Sequence, residues 1–441
     1  MSHPLLTAPI GRSLLRLAGP TTGIMVVQIL VAVADTWFVG RLGFEALAGI
    51  ALVIPFITLM MNIANGGMGG AVASSFARAL GAHRQEDARA LVLHALLLGW
   101  TIALLFTLLA WALAPAIFRA MGGKGPALEQ ALAYTRLWFS GSVLLWTTAF
   151  LSALLRGAGN AATPARIGLI SSIVYVPLSG ALTLGYGLIG SAAASLLAST
   201  LSTLLLVRAV RQGRLGIAPK LADVRLQGRL FGEILRVGAL GSLSTTTASL
   251  TAVVVTGLVG HFGTAALAGY GIGVRLEFMV SPVAFGIGAG AITLVGIAAG
   301  AGDWWRAVRV AWIAGLTGFL LIGAMGWAVA LLPETWSRLF TSQPEVVEAS
   351  VAFLTRVAPF HCLFGLGLTL YFASQGAGRM MVPVLAGVAR MLVATAGGWF
   401  VAEWLGWGLN GVFVATGASL IVYGCLIAGT LFIAPWRARS L

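Results

Sequence analysis

Two of the 13 acidic residues, Asp35 and Glu277, stand inside long apolar stretches, whereas the others fall in or near the polar gaps between them. An ionised carboxylate at the centre of a hydrocarbon layer costs about 2.5–3.5 kcal/mol on insertion scales, so an acid kept there faces a polar cavity or holds a proton. Removal from water favours the protonated form of such a group and a nearby cation favours the ionised form, so one side chain is able to exchange a proton for a cation. Asp35 is the leading candidate for that exchange. Glu277 is a candidate for cargo recognition or for a second exchange site, together with Arg275. Residues two positions apart do not share a helix face, so no simple intrahelical ion pair is expected between them.

Other polar residues within apolar stretches, namely Gln28, Asn62, Asn65, Tyr175, His361 and Gln375, are candidates for lining the same cavity as Asp35. The competing reading is structural, because an intramembrane Gln or Asn commonly bonds across helices. Cys362 and Cys425 each stand alone, and His361 has no clustered ligand partners, so neither a metal centre nor a disulfide framework is expected. The runs Gly66-Gly-Met-Gly-Gly70 and Gly286-Ile-Gly-Ala-Gly290 lack a following Lys-Ser/Thr and have no strand before them, so they read as close helix packing, not phosphate loops. Paired acids or histidine clusters of an intramembrane enzyme are absent, and no organic cofactor is expected.

The elements that hold these residues follow from composition. Of 441 residues, 59% are hydrophobic and 9% charged, against about 25% charged in an ordinary soluble protein. Apolar runs of about 20 residues recur along the whole length, which is the signature of a polytopic membrane protein. Twelve candidate helices are expected at 15–40, 46–72, 90–114, 131–155, 163–184, 188–209, 233–258, 267–292, 306–331, 349–372, 383–404 and 408–432. Most of the 27 Lys and Arg residues concentrate at the N-terminus, in alternate loops and in the C-terminal tail. This pattern places both termini in the cytoplasm and accounts for the net charge of +14 without invoking nucleic acid. Arg12 and Arg16 precede the first apolar run, and no small-residue cleavage site follows it, so an uncleaved first helix is expected.

A duplication at a spacing of about 220 residues organises the chain. Gly40-Arg-Leu-Gly-Phe-Glu-Ala-Leu-Ala-Gly49 aligns without a gap with Gly260-His-Phe-Gly-Thr-Ala-Ala-Leu-Ala-Gly269. Arg156-Gly-Ala-Gly-Asn160 aligns with Gln375-Gly-Ala-Gly-Arg379, and Gly185-Tyr-Gly-Leu-Ile-Gly190 with Gly406-Trp-Gly-Leu-Asn-Gly411. With six helices per copy, both copies enter the membrane from the same side and are related by an axis along the membrane normal. The expected domains are an N-terminal six-helix bundle over 1–209, a cytoplasmic linker over 210–232 and a C-terminal six-helix bundle over 233–441. Two bundles facing across a cavity suit alternating access. Val255 stands at the repeat position of Asp35 and Ile57 at that of Glu277, so the copies differ at both intramembrane acids.

The motif Asp35-Thr-Trp-Phe-Val-Gly-Arg-Leu-Gly43, followed by Ala46-Leu-Ala48 and Pro55, resembles the opening of multidrug and toxic compound extrusion (MATE) transporters. Arg156-Gly-Ala-Gly-Asn-Ala-Ala-Thr-Pro164 is similar to that family's signature between helices 4 and 5. The resemblance covers nearly the whole chain. It implies the MATE fold and a cation-coupled antiporter that exports amphipathic, often cationic compounds. NorM-like members place acids on helices 7 and 10, whereas helix 7 here runs Thr245-Thr-Thr-Ala-Ser-Leu-Thr-Ala-Val-Val-Val-Thr256 without an acid and helix 10 has none beyond Glu348 at its edge. DinF-like members centre on a helix 1 aspartate with a proline earlier in that helix, a pattern matched by Asp35 and Pro20, where Pro20 is the implied helix bend. Sodium-binding relatives of this type add an Asn and an Asp on helix 5, where this chain offers Ser171, Ser172 and Tyr175. The expectation is therefore an all-α inner-membrane antiporter, monomeric, coupled to protons at Asp35, with sodium at Asp35 the alternative coupling ion. A flippase of lipid-linked saccharides is the runner-up.

Overall fold

A computed structural model of the chain describes residues 4–217 and 225–436. Among these residues all regular structure is helical. Twelve apolar spans cross the molecule: α1 (Ile10–Gly40), α2 (Phe44–Gly81), α3 (Gln85–Ala120), α4 (Gly125–Ser140 and Ser142–Gly157), α5 (Ala162–Tyr186), α6 (Leu188–Arg211), α7 (Gly228–Gly260), α8 (Thr264–Gly300), α9 (Trp304–Leu331), α10 (Pro344–Ala377), α11 (Met381–Trp404) and α12 (Gly408–Ile433). Even the shortest continuous spans, of 24 residues, rise about 36 Å, enough for a hydrocarbon layer of about 30 Å. The chain is a multi-pass membrane protein.

The ends of several spans lie beyond the apolar windows. α2 continues from the expected 72 to Gly81 and α3 begins at Gln85, because helical hydrogen bonding persists after the side chains turn polar. α4 was expected as one helix and is instead two, bent by 49° at Gly141, where Ser140 and Gly141 offer weak helix propensity. α1 is one α-helical stretch through Pro20. Within α2, Ile63–Met68 is a π-helical segment. α6 ends at Arg211 and α7 starts at Gly228, and the expected linker between them falls partly outside the described residues.

The duplication is visible in backbone conformation. Gly43 before α2 and Gly263 before α8 are repeat partners and have φ of 101° and 104°, a region that excludes most L-residues. At the turn after α2, His83 has φ of 57°, and its repeat partner after α8, Gly302, has φ of 78°.

The two halves touch at one end only, among the hydrogen bonds and close glycine contacts of the described residues. The first half of α1 packs on the second half of α8, and the first half of α7 packs on the second half of α2. A Cβ on Gly286 would collide with Thr22, and one on Gly290 would lie 3.0 Å from Leu14. A Cβ on Gly67 would lie 2.6 Å from the Ser242 backbone nitrogen. Farther along, Gly81 abuts the Ile297 backbone and Gly300 abuts the Arg78 backbone. The two glycine runs are thus the seam between the halves, where the missing side chains let backbones meet. Polar ties fasten the same end. Arg78 donates to the Gly376 carbonyl at 3.1 Å, and Arg229 pairs with Asp87 at 2.7 Å. Arg306 donates to the carbonyls of Leu5 and Ala8 at 2.9 and 2.6 Å.

Two substitutions test this account by thermal unfolding of the purified protein in detergent. His83→Gly relieves left-handed backbone strain and is expected to raise stability by about 1 kcal/mol. Gly67→Val overpacks the α2–α7 seam and is expected to cost about 1–3 kcal/mol. Equal melting of Gly67→Val and the unmodified chain would remove the seam from the account.

Candidate functional site

α1 carries a stripe at seven-residue spacing, Thr21, Gln28 and Asp35, so that two helical turns separate successive members on one face. That face lines a cavity of about 620 Å³ inside the N-terminal half, closed by α2, α4, α5 and α6. Its wall is mostly apolar, including Ile24, Met25, Ile54, Met61 and Trp138, with hydroxyls from Ser171, Ser172, Tyr175, Ser195 and Ser199. Only two charged residues line it, Asp35 and Arg156.

Asp35 is half-buried, and three neutral hydroxyls donate to its carboxylate. Tyr175 Oη and Ser179 Oγ reach Oδ1 at 2.7 and 2.6 Å. Ser191 Oγ sits 3.3 Å from Oδ1 and 3.4 Å from Oδ2. The charge of Asp35 also reaches Tyr134 on α4. No cationic side chain lies within ion-pair distance of it among the described residues. Hydroxyls donating to a carboxylate stabilise its negative charge without cancelling it, so the group keeps the capacity to bind a proton or a small cation. Trp37, stacked under the Arg41 guanidinium at 4.4 Å, marks the C-terminal end of the same helix.

The remaining predicted residues do not all gather here. Gln28 and Asn65 line the cavity, and Asn65 also donates to the Met61 carbonyl at 3.1 Å. Tyr175 is there as expected. Asn62 is exposed and lies outside the cavity lining, since one position before the π segment its side chain turns away. Gln375 is fully buried between the halves, donating to the Gly66 and Gly67 carbonyls at 3.2 and 2.9 Å. The expectation of one shared cavity is therefore corrected, because residues of the second half are held on a separate bundle.

In that second half, Glu277 is half-buried on α8, and its carboxylate has neither an ion pair nor a hydrogen bond among the described residues. Its charge acts on the buried His361 of α10 and on Tyr270. Arg390 lies over the Phe364 and Tyr423 rings at 4.8 and 5.7 Å. Arg275 faces elsewhere, over the Phe340 ring at 4.6 Å in an outer pocket of about 420 Å³. The two neighbours in sequence diverge, as their spacing requires.

Sequence reading missed Ser179, Ser191 and the position of Arg156. Ser179 was within reach, because Ser171, Tyr175 and Ser179 repeat every four residues on one face of α5. Ser191 had no sequence signal, since it meets Asp35 only through the packing of α6. Arg156 was counted as a loop cation and is in fact part of the cavity wall.

Comparison with known proteins adds a family. A family model described as MatE matches residues 20–180 and 242–400. A probable multidrug resistance protein NorM of Thermotoga maritima is 26% identical, over 98% of this chain and 94% of its own length. An FAD transporter of Shewanella oneidensis is 27% identical, over 84% of this chain and 83% of its own. A crystal structure of MATE in the bent conformation superposes with a TM-score of 0.91 at 23% identity, covering 98% of this chain and 97% of that one, and shares its fold.

If the three hydroxyls prepare Asp35 for exchange, Tyr175→Phe lowers gradient-driven transport into vesicles several-fold, and Tyr175→Phe with Ser179→Ala lowers it by at least ten-fold. Full transport by the double variant would show that the hydroxyls serve packing alone.

Proposed function

The chain belongs to the MatE family, and from that premise we propose that it exports amphipathic, chiefly cationic organic compounds across the cell membrane in exchange for protons. Membership makes it a transporter and not an enzyme. The observation that carries the proton reading is Asp35: one carboxylate beside an apolar cavity, held by three neutral donors and no counter-cation. A proton arriving at Asp35 cancels the charge that favours a cationic cargo, and departure of that proton restores it, so occupancy by one excludes the other. That reciprocity is what antiport requires.

Within the family we place the chain nearer the DinF-like branch, although the Thermotoga relative carries the NorM name. The support is the acid on α1 and the acid-free sequences of α7 beyond Gly238 and of α10 beyond Glu348. Protons are favoured over sodium because α5 presents Tyr175 and Ser179 to Asp35, not a second carboxylate. In the cycle we infer, the two six-helix halves, about 1–209 and 233–441, rock against each other on the glycine seam, as a monomer with both termini cytoplasmic. The closed end would then face the cytoplasm, where Arg78, Arg229 and Arg306 tie it. One relative is named an FAD transporter, so a non-cationic cargo is the second reading.

Vesicles loaded with a fluorescent organic cation, with pH and sodium gradients imposed independently, test the proposal. Transport is expected to follow the pH gradient alone and to fall to background in Asp35→Asn. Undiminished gradient-driven transport by Asp35→Asn would overturn it.

A further inference from the structure

The second charge in the cavity wall is Arg156, which the exchange proposed at Asp35 does not use. Arg156 stands at the end of α4, and its guanidinium has no hydrogen-bond acceptor and no carboxylate partner among the described residues. It lies over the Phe285 ring of α8 at 5.9 Å. Behind it, against Gly69, Gly70, Phe285 and Phe372, a crevice of only about 10 Å³ remains, so its open side is the cavity.

The duplication explains why these donors are left over. The repeat partner of Arg156 is Gln375, in the matching Gly-Ala-Gly turn. Gln375 spends its amide donors on Gly66 and Gly67, whose carbonyls the π segment of α2 makes available across the seam. The helix facing Arg156 is α8, which is regular α-helix from Thr264 to Gly300 and has no π segment. No α8 carbonyl accepts from Arg156 among the described residues, so the N-terminal copy does not reproduce the contact that Gln375 makes in the C-terminal copy. Arginine has five donors and a permanent charge, where glutamine has two donors and none. The half-buried Arg156 guanidinium meets the cavity without a protein acceptor among the described residues, and an anionic group brought by a ligand would fill its donors by a two-pronged contact.

Position separates this group from Asp35. Arg156 lies over Phe285, next to Gly286, which touches Thr22, so it sits at the inner end of the α1 stripe. From Thr21 to Asp35 α1 rises about 21 Å. The cavity is thus bipolar, with a negative end at Asp35 and a positive end at Arg156.

We propose that Arg156 is an anion subsite, so that the cargo class includes amphipathic molecules bearing a carboxylate or phosphate, and not organic cations alone. This rests on the transport reading above and names a ligand group that it leaves open. A ligand with charges of both signs places its anionic group inward at Arg156 and its cationic or apolar part toward Asp35.

A matched pair of dyes tests it: a cationic xanthene ester and the zwitterionic free acid of the same xanthene, each titrated against the full chain in maltoside detergent and then followed in vesicles. The acid is expected to bind the unmodified chain, and the acid-to-ester affinity ratio is expected to fall about ten-fold or more in Arg156→Gln. Arg156→Lys, which keeps the charge, is expected to recover a large part of the ratio. A purely structural arginine would lower both dyes together and leave the ratio unchanged, which overturns the proposal, as does an acid that fails to bind while the ester binds. Failure of both dyes to move in vesicles would instead strike the transport reading. Adding phosphatidylglycerol in the detergent arm separates the anion's sources. Competition that disappears in Arg156→Gln assigns the subsite to a lipid phosphate, and its absence, with the acid still bound, assigns it to the solute.

Discussion

An uncompensated carboxylate within a membrane is the constraint around which the N-terminal half is arranged. Asp35 has no cation beside it among the described residues, and it is held by hydroxyl donors from two helices, Tyr175 and Ser179 on α5 and Ser191 on α6. Those donors need α5 and α6 close to the second half of α1, and the close approaches of Gly168 to Ile24 and Gly180 to Phe38 provide this. Had an arginine or lysine supplied the compensation, the site would be a permanent ion pair with little reason to take up or release anything. Neutral donors hold the charge in place and leave it available.

Two requirements then fall on the rest of the molecule. The half containing Asp35 must stay intact as the molecule changes shape, and the contact between halves must be separable. The interface meets the second requirement by being small-residue packing at one end with a limited number of polar ties. Its hydrogen bonds run largely to backbone carbonyls, such as Gly376, Gly66 and Gly67, which the helix backbone fixes in position. The largest fully buried side chains lie within the halves, Trp146, Phe118 and Phe150 in the first and Phe413 in the second, while one apolar core continues through the seam.

The duplication has been kept for architecture and lost for chemistry. Turn glycines, seam glycines and the Gly-Ala-Gly turns correspond between copies, because both halves must cross the same membrane and meet each other through equivalent surfaces. Asp35 faces Val255 in the alignment, Glu277 faces Ile57, and Arg156 faces Gln375. Charged groups are where the copies differ, so each half carries its own electrostatic environment inside a shared frame.

Much of this was legible in the residues themselves. Twelve spans, the duplication, glycine-mediated helix packing and the candidacy of Asp35 follow from apolar run length, spacing and the cost of a charge in hydrocarbon, which are local properties of a chain in a membrane. What the tertiary structure decided is which polar groups share a space. It brought Ser179 and Ser191 to Asp35, sent Gln375 to the seam and His361 to the other half, turned Asn62 outward, and set Arg156 in the cavity wall. The reason is that in a membrane every helix is apolar on almost all sides, so the lipid face and the cavity face look alike along the chain. Only the packing of other helices against a given face tells them apart.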